Sequence, residues 1–159
     1  MGKGWSRITA HARLESDGEV VRKLFVKDYF GFTKEELWGN ELSALVRLVG
    51  GVGVQELLSA DRSKLEIVTR DGGEPGVVEY GAQGLDILEE LDLVEVVHRD
   101  IRPDNLVVRD GVLTLIDFEW SVFPGSVMER RNPPSVLGEE YRSPRGFDDR
   151  YSMERSLRG

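Results

Sequence analysis

The chain has 159 residues, 40% of them hydrophobic and 31% charged, which suits a single globular domain with a core of ordinary size. Its formal net charge of −8 argues against a general nucleic-acid binder, because phosphate contacts need a basic surface. It has no cysteine, which excludes disulfides and thiolate metal sites, and no apolar run approaches the roughly 20 residues of a membrane-spanning helix.

In chain order, the pattern predicts a β-rich first half, then a helix and a hairpin. Alternating side chains on both sides of Ser16–Gly18 predict an N-terminal hairpin. Thr33 predicts a helix start, and Asp110–Gly111 predicts a tight turn between two late strands. The predicted elements are strands over 7–15 and 19–27, a helix from 33 to 50, a strand over 65–69, a helix over 84–94, and strands over 106–108 and 113–116.

Helical spacing also predicts which side chains of the two helices face the core. The predicted apolar stripes consist of Leu37, Leu42, Leu45, Val46 and Leu48 in the first helix, and of Leu85, Leu88 and Leu91 in the second.

The chemistry is concentrated in the run from His98 to Asn105 and in Asp117, twelve residues further on. A carboxylate on a tight turn, such as Asp100, can accept a proton from a hydroxyl nucleophile. An amide oxygen and a second carboxylate, from Asn105 and Asp117, can hold magnesium against the phosphates of a nucleotide. The order and spacing of these residues therefore predict a phosphoryl-transfer site.

His98–Asp100 and Ile116–Phe118 resemble the catalytic loop and the metal-binding segment of protein kinases. The resemblance implies that Asp100 is the catalytic base and that Asn105 and Asp117 bind magnesium beside ATP. We expect His98 to brace the catalytic loop rather than to transfer protons or bind metal.

Val20–Lys23 resembles the protein-kinase strand motif whose lysine contacts the α- and β-phosphates, which implies that role for Lys23. Glu41, 18 positions later in the first helix, would pair with Lys23 and orient it. Lys27 is the alternative phosphate anchor, because it shares a strand face with Lys23.

The fold implied by the resemblance is α+β, a protein-kinase-like arrangement of two lobes in a single domain. Residues 1 to about 70 would form a β-rich N-lobe, and residues 71–159 a reduced helical C-lobe. Adenine would bind between the lobes, to the backbone of Thr69, Arg70 and Asp71. The chain is expected to be either a natural minimal kinase or a fragment, and a homodimer could cover the face that further helices would bury.

Three features depart from the protein-kinase pattern. No Gly-x-Gly-x-x-Gly loop precedes Lys23, and Gly18 alone lies nearby in a different register. Arg102 occupies the position of the lysine that steadies the transferred phosphoryl group, a role that a guanidinium can also fill. Glu119 replaces the usual glycine after Asp-Phe, and this carboxylate either binds a second magnesium or faces solvent.

The resemblance favours transfer of the ATP γ-phosphoryl group to a protein serine or threonine hydroxyl. Two alternatives remain open. Ile101–Asn105 together with Leu115–Trp120 is also similar to bacterial lipopolysaccharide-type sugar kinases, which implies a carbohydrate or other small acceptor. A pseudokinase that binds nucleotide or acts as a regulatory module is the third hypothesis. Residues 1–5 lack the apolar segment of a secretory signal, so we expect a cytoplasmic protein.

Overall fold

A five-stranded antiparallel sheet is built from the first half of the chain. The computed structural model describes residues 4–6, 10–15, 19–76, 81–133 and 139–158. The strand order is β1-β2-β3-β5-β4. The strands are β1 (Gly4–Ser6), β2 (Ala10–Glu15), β3 (Val20–Phe25), β4 (Leu57–Asp61) and β5 (Glu66–Arg70).

Strands β2 and β3 pair from Ala10 opposite Phe25 to Glu15 opposite Val20, which confirms the predicted antiparallel pair. The Ser16–Gly18 turn and residues 7–9 lie outside the described residues. Strand β4 was not predicted, because its side chains are mostly exposed and give no alternating pattern.

Helix α1 (Lys34–Arg47) begins as predicted at Thr33 and packs on this sheet. The Thr33 hydroxyl accepts a hydrogen bond from the Glu36 N–H, and the Glu36 carboxylate accepts one from the Thr33 N–H. This reciprocal capping box satisfies two N–H groups at the helix start. Leu37 and Leu45 are buried as predicted, whereas Val46 is 55% exposed because it lies beyond the edge of the apolar stripe.

A three-stranded antiparallel sheet and two further helices form the second half. The strands, in the order β6-β7-β8, are β6 (Glu74–Pro75), β7 (Leu106–Arg109) and β8 (Val112–Leu115), and the helices are α2 (Ala82–Leu93) and α3 (Asp149–Arg158). In α2, Leu85 is exposed, contrary to the predicted stripe, because the buried face is centred on Ile87, Leu88 and Leu91.

The two sheets are joined by a close contact and by a common core. The 71–73 connection lies directly against β7, where a Cβ on Gly73 would overlap the Val108 carbonyl, and the Gly73 φ of 114° also favours glycine. Val54 forms a parallel bridge to Leu115 of β8. Buried side chains from both halves form one hydrophobic cluster. The described residues thus form a mixed α and β fold with two small antiparallel sheets and three α-helices.

None of the helices in the described ranges is both long and apolar enough to cross a membrane.

Candidate active site

The loop that carries Asp100 is held at its start by a carboxylate from α3. Asp149, the first residue of that helix, accepts hydrogen bonds from the backbone N–H of His98 at 2.6 Å and of Arg99 at 3.0 Å. Arg99 has a φ of 71°, a left-handed conformation that a side chain adopts only when its surroundings impose it. Asp149 therefore fixes a strained turn immediately before the candidate base.

The His98 ring braces the same loop, as predicted. Its Nδ1 accepts the Asp100 N–H at 3.0 Å, and its Nε2 lies 2.9 Å from the Ile116 carbonyl oxygen. These contacts require a neutral ring with the proton on Nε2. Burial lowers the pKa of His98 against the opposing charge of Asp149, and the ring packs edge-on against Phe118 with centroids 4.7 Å apart.

Asp100 and Asn105 lie together in the loop, and Arg102 lies beside them. The Asn105 Nδ2 donates to the Asp100 carbonyl at 2.9 Å and to the Asp100 Oδ2 at 3.3 Å. The Arg102 Nε lies 3.5 Å from the Asp100 Oδ1. Burial and the nearby charge of Asp117 raise the pKa of Asp100 to about 7, although Arg102 and the Asn105 hydrogen bond oppose the shift.

Lys23 and Glu41 form the predicted ion pair, with 2.7 Å between Nζ and Oε1. The same Nζ lies 3.3 Å from the Asp117 Oδ1 and 3.8 Å from the Glu119 Oε2. The structure therefore brings the predicted lysine, its glutamate and the predicted metal-binding aspartate into contact. Lys27, the alternative anchor, is exposed and lies beyond the end of β3.

Glu119 is buried, which overturns the alternative that its carboxylate faces solvent. One carboxylate oxygen from each of Glu41, Asp117 and Glu119 lies within 4.8 Å of the others. Burial disfavours the Lys23 ammonium, but these three carboxylates raise its pKa above the ordinary value and keep it charged. Burial raises the pKa of Glu41 to about 7, and Asp117 and Glu119 add to the shift, against the opposing charge of Lys23.

The donor set fits a divalent cation. Three carboxylates around one ammonium leave an excess of negative charge, and oxygen ligands of this kind are those that magnesium prefers. The Asn105 Oδ1 is buried and has no hydrogen-bond partner among the described residues, so it is an acceptor that a bound ion would satisfy. Asp117 and Asn105 are the residues that would hold the ion, and Glu119 lies in the same group.

Two amide side chains that the sequence did not indicate support the site. The Gln55 Oε1 accepts the Asp117 N–H at 3.2 Å, and the Gln55 Nε2 donates to the Thr69 Oγ1 at 2.9 Å. Asn40 donates to two backbone carbonyls just after Asp117. Such contacts have no sequence signature, because they depend on which backbone groups the fold brings near a common polar residue.

The backbone of the predicted adenine-binding stretch is partly paired within the protein. The Arg70 N–H donates to the Glu56 carbonyl at 3.0 Å, and the Asp71 N–H donates to the Glu19 carbonyl at 2.9 Å. Thr69 is buried and pairs with strands on both sides. The N–H groups of Arg70 and Asp71 are thus satisfied within the protein. Adenine binding to the backbone of Thr69, Arg70 and Asp71 stays a prediction.

No family model matches the sequence. The fold is similar to that of the crystal structure of WbdD, with a TM-score of 0.57 and 17% sequence identity. The likeness covers 87% of this chain, which spans 34% of the WbdD chain. At this identity it shows a shared fold alone.

Proposed function

We propose that this protein is a magnesium-dependent phosphotransferase that moves the γ-phosphoryl group of ATP to a hydroxyl acceptor. The observation that carries the proposal is one constellation. The Lys23 ammonium of the Lys23–Glu41 ion pair contacts the Asp117 carboxylate. In the neighbouring loop, burial and the charge of Asp117 raise the pKa of Asp100 to about 7. Positioned charges of this kind are the main requirement of phosphoryl transfer.

In this proposal each residue has a separate role. Lys23 binds the α- and β-phosphates, and Glu41 keeps its ammonium in place. Asp100 orients the acceptor hydroxyl and takes its proton, while the Arg102 guanidinium steadies the transferring group. Magnesium, held by Asn105 and Asp117, would neutralise phosphate charge.

The domain organisation in this proposal is one kinase-like domain. The five-stranded sheet with α1 would serve as the N-lobe, and the second sheet with α2 and α3 as the C-lobe. ATP would lie where the Lys23 side chain from β3 meets Asp117, after β8. The WbdD likeness supports this arrangement because it extends over 87% of the chain.

Protein serine or threonine is the proposed acceptor, from the resemblance of His98–Asp100 to the protein-kinase loop. A carbohydrate or other small-molecule acceptor is the alternative, since Ile101–Asn105 and Leu115–Trp120 are also similar to sugar kinases. The acceptor decides where the phosphoryl group appears, so a labelling experiment separates the two.

The test uses ATP labelled in its γ-phosphate, incubated with wild-type protein, magnesium and fractionated cell lysate. Label in protein supports the proposed acceptor, and label in a carbohydrate or lipid-linked fraction supports the alternative. Asp100→Asn and Asp117→Ala should each abolish transfer, whereas Asp110→Asn, in the exposed hairpin turn, should not.

A melting assay completes the test. Magnesium and ATP together should raise the melting temperature of the wild type, because a ligand that binds only the folded state stabilises it. Stabilisation without transfer would favour a pseudokinase or regulatory module. No magnesium-dependent stabilisation would overturn the proposed function.

A further inference from the structure

Asn40 lies next to Glu41 in α1, and its amide is fully used inside the protein. The Nδ2 donates to the Glu119 carbonyl at 3.1 Å and to the Ser121 carbonyl at 2.8 Å. The Oδ1 accepts the Ser126 hydroxyl at 2.6 Å. Because both carbonyls can only accept, the amide nitrogen must face them. The orientation of Asn40 is therefore determined by its partners.

The Ser126 hydroxyl is itself held in place, since it accepts the Met128 N–H at 3.0 Å. Asn40, Ser126 and the carbonyl-bearing residues Glu119 and Ser121 are all buried. A buried amide with all three of its groups satisfied is a rigid link between the elements that it joins, because breaking it would leave unpaired polar atoms.

The 117–122 segment, which carries Asp117 and Glu119, accepts hydrogen bonds from two different parts of the chain. Asn40 of α1 takes the carbonyls of residues 119 and 121. From the other side, the Arg99 Nε donates to the Trp120 carbonyl at 2.9 Å, and the Val97 N–H donates to the Val122 carbonyl at 2.9 Å. The carbonyls of residues 119–122 are thus bound alternately by Asn40 of α1 and by Arg99 and Val97, at the start of the loop that carries Asp100.

We propose that Asn40 is a positioning residue that fixes α1 to the 117–122 segment, so that Glu41 holds Lys23 against Asp117 in the ligand-free protein. This inference rests on the proposed function for its kinetic consequence. Without the Asn40 side chain, α1 could shift relative to the 117–122 segment. The Lys23–Glu41 pair would then no longer lie beside the Asp117 carboxylate.

The decisive variant is Asn40→Ala, compared with Thr33→Ala. The latter removes the capping box at the start of the same helix, where the Thr33 hydroxyl accepts the Glu36 N–H, so it matches a loss of helix stability without removing the Asn40 hydrogen bonds. Ser126→Ala is the milder second variant, since it leaves both carbonyl contacts of Asn40 in place and removes the partner of the Asn40 Oδ1, together with the acceptor of the Met128 N–H.

Asn40→Ala should weaken the affinity for magnesium and ATP and raise KM for ATP by roughly 10- to 100-fold, because small displacements at such sites are costly. Ser126→Ala should change both in the same direction by less. Thr33→Ala should lower the melting temperature and leave KM unchanged, because a loss of folded protein reduces kcat per mole of total protein but not KM.

Hydrogen exchange of the nucleotide-free protein tests the link independently of catalysis. In Asn40→Ala, peptides from α1 and from the 117–122 segment should both exchange faster, whereas Thr33→Ala should affect only α1. If the wild type neither binds nor transfers phosphate, the proposed function fails while this comparison still decides the link. Wild-type exchange in the 117–122 segment of Asn40→Ala, or equal KM changes in Asn40→Ala and Thr33→Ala, would overturn the inference.

Discussion

Lys23 is the residue on which the charge balance of the site depends. It is the cation in contact with Glu41, and Asp117 and Glu119 lie within 4 Å of the same Nζ. Removing it would leave the buried Glu41 carboxylate without the Lys23 ammonium, which is far more costly than losing an exposed pair.

Lys23→Met should therefore destabilise the protein by about 3 kcal/mol in urea unfolding at pH 8. The matched control is Lys27→Met, which removes an exposed lysine just beyond the same strand and should change stability by less than about 0.5 kcal/mol. Equal effects of the two substitutions would show that the Lys23 ion pairs contribute little.

The candidate site residues in the loop that carries Asp100 were predictable because they lie close together in the sequence. Asp100, Asn105 and the bracing His98 lie within eight consecutive positions, so the short span of the loop keeps them near one another. Asn40 and Gln55 were not predictable, since each acts on backbone groups far along the chain. The inward direction of the Glu119 side chain was also undetermined, because it depends on the packing of α1 against the 117–122 segment.

At the scale of elements, the sequence predicted the helices and strands that bury an apolar face. Helix α1 and strand β3 have clear apolar patterns and were placed within a few residues. Strand β4 exposes most of its side chains, and β6 is a two-residue edge strand that includes Pro75, so neither has a pattern that a sequence could reveal.

Helix α3 is remote in sequence from the loop that carries Asp100, yet its Asp149 carboxylate hydrogen-bonds to that loop. Asp149→Ala would leave the N–H groups of His98 and Arg99 without their acceptor. It should cost about 2–3 kcal/mol in stability and reduce phosphoryl transfer strongly. The measurement pairs urea unfolding with the transfer assay.

Asp148→Ala is the matched control for that experiment. Asp148 is exposed and accepts the Tyr151 N–H at the start of α3, so its loss should cost about 1 kcal/mol and leave transfer unchanged. If both substitutions impair transfer equally, α3 matters only through its own stability.

At the scale of the whole molecule, the fold concentrates acidic groups where its two sheets meet. Four carboxylates, those of Glu41, Asp100, Asp117 and Glu119, surround two cationic side chains. Because like charges repel, this concentration of carboxylates destabilises the folded protein in the absence of ligand and favours binding of a cation. Sites of this kind often lower stability in return for function.

The pH dependence of stability should reveal this opposition. Burial raises the folded-state pKa of Asp100 from 3.8 to about 7, so the folded protein retains a proton that the unfolded chain releases. The contribution of Asp100 to stability should then fall as pH rises from about 4 to about 7, and its full cost remains above pH 7. Asp100→Asn removes this cost, so the variant should be more stable than the wild type by about 2–4 kcal/mol at pH 8, with the difference shrinking as pH falls and vanishing below about pH 3.

Urea unfolding of both proteins in a chelator at pH 4.5 and pH 8 would measure this, with Asp104→Asn as the control for an exposed aspartate in the same loop. The Asp104 variant should follow the wild type at both pH values. Because Asp100→Asn should also abolish phosphoryl transfer, a gain in stability with a loss of activity would identify a carboxylate retained for chemistry. An Asp100→Asn variant less stable than the wild type at pH 8 would instead mean that the Asp100 carboxylate serves the fold, through its contacts with Arg102 and Asn105.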